Sequence, residues 1–373
     1  MDDRSIDKHN AEVSPLRPYS VVVAGGGTAG HIEPALAVAD ALREIGDVRV
    51  TALGTPKGLE GELVPERGIE LRMIDPVPVP RKASLDMVKL PLRVVKAVSQ
   101  TKDILRDVNA DAVIGFGGYV SAPAYLAARQ LGLPFYVHEA NAKAGMANKL
   151  GIKLGGHGFN AVSDSGIPGE VVGIPIRKNL TGDRDSSAAD RGREEWDLSP
   201  DRSTILVTGG SQGARSLNEA LADAIVDLTD AGYQVLHAYG KKNPAPERHE
   251  HYTAVPFITD MAAAYAVADL IVCRSGAMTV AEVTAAGVPA VYVPLPHGNG
   301  EQGLNAREVV ASGAARIVQD RELDGRRLVA EVTGILSRPD VYSEMRNAAA
   351  GHASEPAADV IARRIVTDLN AAE

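Results

Sequence analysis

The chain has a single cysteine, a single tryptophan and four phenylalanines among its 373 residues. One thiol excludes any disulfide within the chain and suits a reducing compartment. That thiol, Cys273, ends the apolar run Leu270-Ile271-Val272-Cys273 and reads as buried and inert. Positive charge is not in excess either. The formal net charge of −9 argues against general nucleic-acid affinity. No run is long and apolar enough for a membrane span. The two longest uncharged stretches, Ala112 to Ala128 and Val283 to Gly300, are interrupted by Gly115, Gly117, Gly118 and Pro123 and by Gly287, Pro289, Pro294 and Pro296. Met1 to Pro18 is polar and has no apolar core, so it reads as a disordered extension and not as a secretory signal.

Glycine, by contrast, is abundant at 37 residues, and it clusters just after apolar runs. Such runs alternate with helical patterns along the whole chain, which predicts parallel α/β architecture. A strand over Tyr19 to Ala24 leads into Gly25-Gly26-Gly27-Thr28-Ala29-Gly30-His31, then a helix starting near Pro34. Further strands are expected at Val48 to Leu53, Ala112 to Phe116 and Pro134 to His138. The pattern restarts with a strand at Thr204 to Thr208, the loop Gly209-Gly210-Ser211-Gln212-Gly213 and a helix from Ala214. Later strands are expected at Gln234 to Tyr239, Leu270 to Arg274 and Ala290 to Pro294. The polar stretch between the halves reads as a linker. The expected division is an extension 1–18, a first Rossmann-like domain 19–178, a linker 179–200, a second Rossmann-like domain 201–345 and a helical segment 346–373 that packs back toward the first domain.

A strand ending in a glycine-rich loop and then a helix aims backbone N–H groups and a positive helix end at one place. Two such loops opening equivalent halves predict a cleft that handles phosphate. Three absences narrow the ligand. Neither loop has the Gly-Lys-Ser/Thr of a P-loop. The second strand ends Ala52-Leu53-Gly54-Thr55 without an acid for a ribose, which disfavours NAD. The sole Asp-x-Asp, Asp183-Arg184-Asp185, falls in the polar linker, so no metal site is expected.

His31 closes the first loop, where a neutral imidazole takes a proton from an attacking hydroxyl or contacts phosphate and supports the loop. Glu282, after Arg274-Ser275-Gly276-Ala277-Met278-Thr279-Val280-Ala281, either accepts the hydroxyls of a ribose or complements a helix N-terminus. Arg274 is a diphosphate partner or a scaffold ion pair. Glu301, Gln302 and Asn305 suit sugar hydroxyls or a solvated loop. Between Val77 and Lys102, the residues Arg81, Lys82, Lys89, Arg93, Lys96 and Lys102 face only Asp86 among acids, with apolar residues interleaved. Such a stretch lies on an anionic membrane or forms an ordinary solvated helix face.

Five segments occur in order: Gly26-Gly27-Thr28-Ala29-Gly30-His31, Gly117-Gly118-Tyr119-Val120-Ser121, His138-Glu139-Ala140-Asn141, Gly209-Gly210-Ser211-Gln212-Gly213-Ala214 and Cys273-Arg274-Ser275-Gly276-Ala277. Together they resemble the MurG family, the N-acetylglucosaminyltransferases that make lipid II in bacterial peptidoglycan synthesis. The resemblance runs from about Tyr19 to the C-terminus. It implies a GT-B fold and an inverting, metal-independent transfer that needs no cofactor. It also implies UDP-N-acetylglucosamine as donor, lipid I as acceptor and a peripheral place on the cytoplasmic face of the cell membrane. It assigns Thr28, Ala29, Gly30, Asn141, Arg177 and Ser211 to the donor site. Ile258 would hold uracil by its backbone, and Ala277, Met278, Thr279, Val280, Ala281 and Glu282 would bracket ribose and phosphates. Gln302 would read the sugar. His31 would serve as base, with Gly117, Gly118 and Tyr119 beside it at the acceptor diphosphate. Two departures stand out: Ala29 replaces a frequent glycine, and Glu301-Gln302 replaces a pair of amides. The rivals are another GT-B enzyme, such as a glycolipid glycosyltransferase or a UDP-N-acetylglucosamine 2-epimerase, and a UDP-sugar binding module without turnover.

Overall fold

The alternation of apolar runs and amphipathic stretches folds into two parallel sheets flanked by helices. The computed structural model describes residues 17–372 except 57, 78–84, 179, 181, 211, 297–299 and 351–355, and gives no side-chain surroundings for 85–89. Arg81, Lys82 and Ser211 therefore lie outside the described residues, as does the side chain of Lys89.

The first sheet contains β1 (Tyr19–Ala24), β2 (Val48–Gly54), β3 (Glu70–Met73), β4 (Ala112–Gly115), β5 (Phe135–Glu139), β6 (His157–Asn160) and β7 (Glu170–Val171). The second contains β8 (Thr204–Thr208), β9 (Gln234–Ala238), β10 (Tyr252–Val255), β11 (Leu270–Cys273), β12 (Ala290–Tyr292) and β13 (Ala315–Ile317). Around the first sheet run α1 (Ala29–Ile45), α2 (Glu60–Glu66), α3 (Leu85–Asp107), α4 (Ser121–Leu131) and α5 (Met146–Lys153). The second half carries α6 (Ser187–Trp196), α7 (Arg215–Asp230), α8 (Met261–Val267), α9 (Ala277–Ala286), α10 (Glu301–Asn305), α11 (Arg307–Ala311), α12 (Gly325–Leu336) and α13 (Pro339–Ala350), and α14 (Ala357–Ala372) follows.

The sheet orders are β3-β2-β1-β4-β5-β6-β7 and β10-β9-β8-β11-β12-β13, and every pairing is parallel. In both, the order reverses beside the opening strand, at β1/β4 and at β8/β11. Connections leave in opposite directions there, which opens a crevice at the carboxyl ends of the strands. The central strands are buried along their whole length, as parallel strands covered on both faces must be.

Three features differ from the sequence expectation. α1 begins at Ala29, so Pro34 lies inside the helix and His31 lies in its first turn. The polar stretch 179–200 holds α6, whose Ala189 and Trp196 are buried against α8 in the second core. The stretch read as a linker because it is strongly polar overall and the buried side of α6 is mostly alanine and glycine. β3, β6, β7, β10 and β13 are short or carry polar residues, so periodicity did not reveal them.

At the far end the chain divides its allegiance. α13 buries Met345 in the second domain. α14 crosses to the first and inserts Ala358, Ile361, Ala362, Ile365 and Leu369 into the core with α1 and β1. Tyr19 Oη donates to Asn370 Oδ1 at 2.8 Å and Tyr136 Oη to Asp368 Oδ2 at 3.0 Å, which fixes its register.

Candidate functional site

The two loops at the first crevice meet backbone to backbone. Gly118 has φ +79°, and a methyl group on it would overlap the carbonyl oxygen of Gly26. Only glycine combines that torsion with that approach. Gly117, with φ +97°, leaves room for the His31 ring: a Cβ there would lie 3.1 Å from Nε2. Ser121 at the start of α4 accepts from the Gly117 N–H at 2.9 Å and donates to the carbonyls of Ala24 and Gly117, which ties the second loop to β1. Tyr119 is exposed at the rim.

His31 Nδ1 lies 3.3 Å from Gly26 O and 3.3 Å from Thr28 Oγ1. A carbonyl only accepts, so Nδ1 carries the proton and Nε2, beside Gly117, is the basic nitrogen. Burial pushes the imidazole pKa below its ordinary value, and the Gly26 carbonyl and the Glu139 carboxylate partly counter this. Thr28 is exposed at the head of α1, followed by the half-buried Ala29 and Gly30.

Glu139, buried at the end of β5, organises the next loop. Its Oε1 accepts from Asn141 N at 2.9 Å and Asn141 Nδ2 at 3.2 Å; its Oε2 accepts from Gly145 N and Asn148 Nδ2, each at 2.9 Å. Four donors satisfy both oxygens of a carboxylate that would otherwise be costly to bury. Asn141 is thereby fixed at the crevice. One residue on, Ala142 N donates to Asn305 Oδ1 at 3.3 Å, and Asn305 Nδ2 donates to Ser275 O at 3.3 Å. This amide links the first domain to the switch point of the second.

On that opposite side, Gly210 and Gly213 adopt φ +80° and +71°. Asn243 Nδ2 holds the loop by donating to Gln212 O at 3.0 Å and Tyr239 O at 2.8 Å. Ala277, Met278, Thr279 and Ala281 are half-buried at the start of α9, and Val280 is buried beneath them. Glu282 accepts from Tyr265 Oη at 2.9 Å. Burial pushes its carboxyl pKa up, while Tyr265 and Arg177 pull it back. Ile258, in the loop after β10, buries its side chain in the second domain's core. Gln302 Oε1 accepts from Leu295 N at 2.9 Å and steadies the loop before α10.

Arg177, on the loop after β7, donates to Glu33 of α1 through Nη2 at 2.6 Å and Nε at 3.2 Å. Its guanidinium also feels Glu282 and Asp260 of the second domain. Arg274 is consumed by the scaffold: it donates to Val293 O at 3.1 Å and Ser216 Oγ at 3.0 Å and pairs with Asp320. The ion-pair alternative is the one observed. Asp183-Arg184-Asp185 is also structural, since Arg184 pairs with Asp269 at 2.6 Å and Asp183 accepts from Asp185 N at 3.0 Å.

The helix ends reveal a division of labour. α6, α8 and α12 start with Ser186, Asp260 and Asp324, whose side chains accept from the first-turn amides. α1, α7 and α9, which start at the switch points, have no side-chain cap and no acid in the first turn. A cap stabilises a helix by about 1 kcal/mol. α4 and α5 share this, so the helices that follow β1, β4, β5, β8 and β11 all leave first-turn amides as donors for an anionic ligand.

Sequence reasoning missed two carboxylates. Glu60, fully buried, accepts from Gly27 N at 3.0 Å and Thr55 N at 3.1 Å. It opens α2, six residues beyond the end of β2, and faces the glycine loop. The other, Glu33, lies in the first turns of α1. A recess of about 660 Å³ beside it is lined by Asp40, Arg43, Glu44, Arg67, Arg177 and Lys178 among others, and it lies along α1 away from the glycine loops. Its cations are largely engaged: Arg67 and Arg177 with Glu33, and Lys178 with Glu44 and Asp359.

Comparison with known proteins agrees with this geometry. The glycosyltransferase family 28 N-terminal domain matches residues 21–154, and its C-terminal domain matches residues 204–363. A UDP-N-acetylglucosamine–N-acetylmuramyl-(pentapeptide) pyrophosphoryl-undecaprenol N-acetylglucosamine transferase from Corynebacterium efficiens is 64% identical over 354 residues, covering 95% of this chain and 98% of that protein. The crystal structure of Acinetobacter baumannii MurG superposes with a TM-score of 0.72 at 33% identity, covering 94% of this chain and 99% of that one. A UDP-GlcNAc 2-epimerase from Neisseria meningitidis, at 15% identity and TM-score 0.64, covers 95% of this chain and all of that one, and shares the fold alone. With both halves matched in order and near-complete overlap with such relatives, the chain belongs to glycosyltransferase family 28 and, within it, to the MurG family.

Proposed function

We propose that this protein transfers N-acetylglucosamine from UDP-N-acetylglucosamine to the muramoyl 4-hydroxyl of lipid I, giving lipid II. The observation that carries this reading is the uncapped first turns of α1, α7 and α9 at the carboxyl ends of β1, β8 and β11, with His31 in the first of them, in a chain 64% identical to a transferase of that description. The acceptor oxygen attacks the anomeric carbon, the bond from that carbon to the diphosphate breaks, and UDP leaves. His31 Nε2 takes the hydroxyl proton. Inversion follows from a single displacement.

The donor lies mainly on the second domain. The amides of α7 and α9 take the diphosphate together with Ser211. Glu282 accepts the ribose hydroxyls, Ile258 holds uracil through its backbone, and Gln302 reads the sugar. Thr28, Ala29, Gly30, Asn141 and Arg177 close the site from the first domain. Gly117, Gly118 and Tyr119 flank the acceptor beside His31.

The enzyme works from the membrane surface. No helix among the described residues is long and apolar enough to cross a membrane. On α3, however, Leu92 is 75% exposed and Val95 67% exposed, next to Arg93 and Lys96. An apolar strip flanked by cations suits the headgroup region of an anionic bilayer. Arg81, Lys82 and Lys89 add charge nearby in sequence.

The direct test is incubation with UDP-N-acetylglucosamine and a lipid I analogue. Disaccharide product with equimolar UDP is expected. Free N-acetylmannosamine without acceptor would identify an epimerase, and donor binding with no acceptor-dependent UDP release would identify a binding module.

A further inference from the structure

The peptide unit joining Gly26 to Gly27 is held from both sides. Its N–H, on Gly27, donates to Glu60 Oε1 at 3.0 Å. Its C=O, on Gly26, faces His31 Nδ1 at 3.3 Å. The two groups of a trans peptide point in opposite directions, so one carboxylate and one imidazole grip the ends of a single rigid plane.

Glu60 is built into this place. It is fully buried, and Oε1 also accepts from Thr55 N at 3.1 Å and Thr55 Oγ1 at 3.3 Å. Three glycines clear its space. A Cβ at Gly26 would lie 2.6 Å from Oε1, one at Gly54 would lie 2.9 Å from its Cβ, and one at Gly58 would overlap Oε2. Oε2 itself is buried without a hydrogen-bond partner among the described residues. A peptide between two glycines turns over easily, because neither residue resists a positive φ. Turned over, it would aim its carbonyl at the carboxylate and its N–H at the imidazole. Nδ1 would then have to accept, and the proton would move to Nε2.

We propose that Glu60 is a positioning residue that sets the tautomer of His31 through the Gly26–Gly27 peptide. This rests on the reading of His31 as the base. With Glu60 in place, the Gly26 carbonyl keeps the proton on Nδ1 and leaves Nε2 free to take one from the acceptor. Glu60 touches no substrate. It acts in the manner of a carboxylate behind a histidine, with one peptide unit interposed.

The experiment is ¹⁵N-histidine NMR together with steady-state kinetics on the full chain. In the parent protein, His31 is expected as the Nδ1–H tautomer. Glu60→Gln still offers an oxygen to Gly27, so it keeps that tautomer and most of kcat. Glu60→Ala yields mixed tautomers and lowers kcat by roughly tenfold or more, with donor KM within about twofold. Should the alanine variant not fold, Glu60→Asp keeps the charge but withdraws the acceptor by a methylene, and the same ¹⁵N pattern is read. A wild-type tautomer and kcat in a folded Glu60→Ala or Glu60→Asp variant would overturn the proposal. So would a Glu60→Gln variant as impaired as the alanine one. His31→Ala separates the two ideas: if it turns over normally, the base assignment itself fails whatever Glu60 does.

Discussion

Arg177 grips both oxygens of Glu33, with Nη2 at 2.6 Å and Nε at 3.2 Å from the carboxylate. One partner belongs to the loop after β7 and the other to the helix that bears His31. A forked contact fixes the guanidinium plane, which a single charge would not do. Glu33→Gln is expected to loosen Arg177 and raise donor KM by roughly three- to tenfold while changing kcat little. Initial rates over a range of donor concentration test this; an unchanged KM would remove Glu33 from donor binding.

The pH profile should carry the mark of a buried histidine. His31 acts as base only when neutral, so kcat/KM falls as acid protonates it. Burial lowers its pKa, which places the midpoint of the acid limb below the ordinary value of 6.5. Glu139 pulls the pKa upward, so Glu139→Gln should move that midpoint to still lower pH. A limb centred at or above 6.5, or one that persists in His31→Ala, would contradict the assignment.

A second histidine governs stability. His237 accepts from Tyr252 Oη at 2.7 Å and donates to Asn218 Oδ1 at 3.1 Å, while Asn218 donates to Tyr239 O behind the second glycine loop. Both ring nitrogens are used by the neutral form, and burial lowers the pKa to about 4. Between that value and the ordinary one, the unfolded chain binds the extra proton, so stability increases with pH. It is complete above about pH 6.5 and is lost on descent toward pH 4, at an upper bound of roughly 3 kcal/mol. Urea unfolding at pH 7.5 and pH 5 measures it. His237→Gln should lower the stability at pH 7.5 and reduce its fall toward pH 5.

Membrane attachment can be separated from catalysis. Leu92→Asp with Val95→Asp should abolish most binding to vesicles containing anionic lipid, because both side chains stand exposed on α3. Turnover of a water-soluble acceptor should be unchanged. Vesicle binding equal to the parent protein would shift the contact elsewhere.

The glycine loops, the opening strands and the segment around α9 were legible because their signals are local. Tyr19–Ala24 and Thr204–Thr208 are unbroken apolar runs, and each is followed at once by the turn chemistry it needs. His31 and Glu282 could be singled out because they sit at strand-to-helix junctions, whereas Asn141 came with the family resemblance. What escaped was long-range. Glu60 is 33 residues from its partner Gly27, and Glu33 is 144 residues from Arg177. Nothing in the neighbours of either acid marks it. Arg274 was undecided for the same reason, since Asp320 and Ser216 reach it only through folding. Pro34 misled because its missing N–H suits a first turn, yet α1 accommodates it further in.

Residues 357–372 are translated after the whole second domain, yet they complete the core of the first. On the ribosome, therefore, the opening domain must wait with the side of α1 that meets α14 uncovered until that helix emerges. The two lobes cannot mature one after the other like beads. The order of synthesis makes the lobe that comes first the lobe that is finished last.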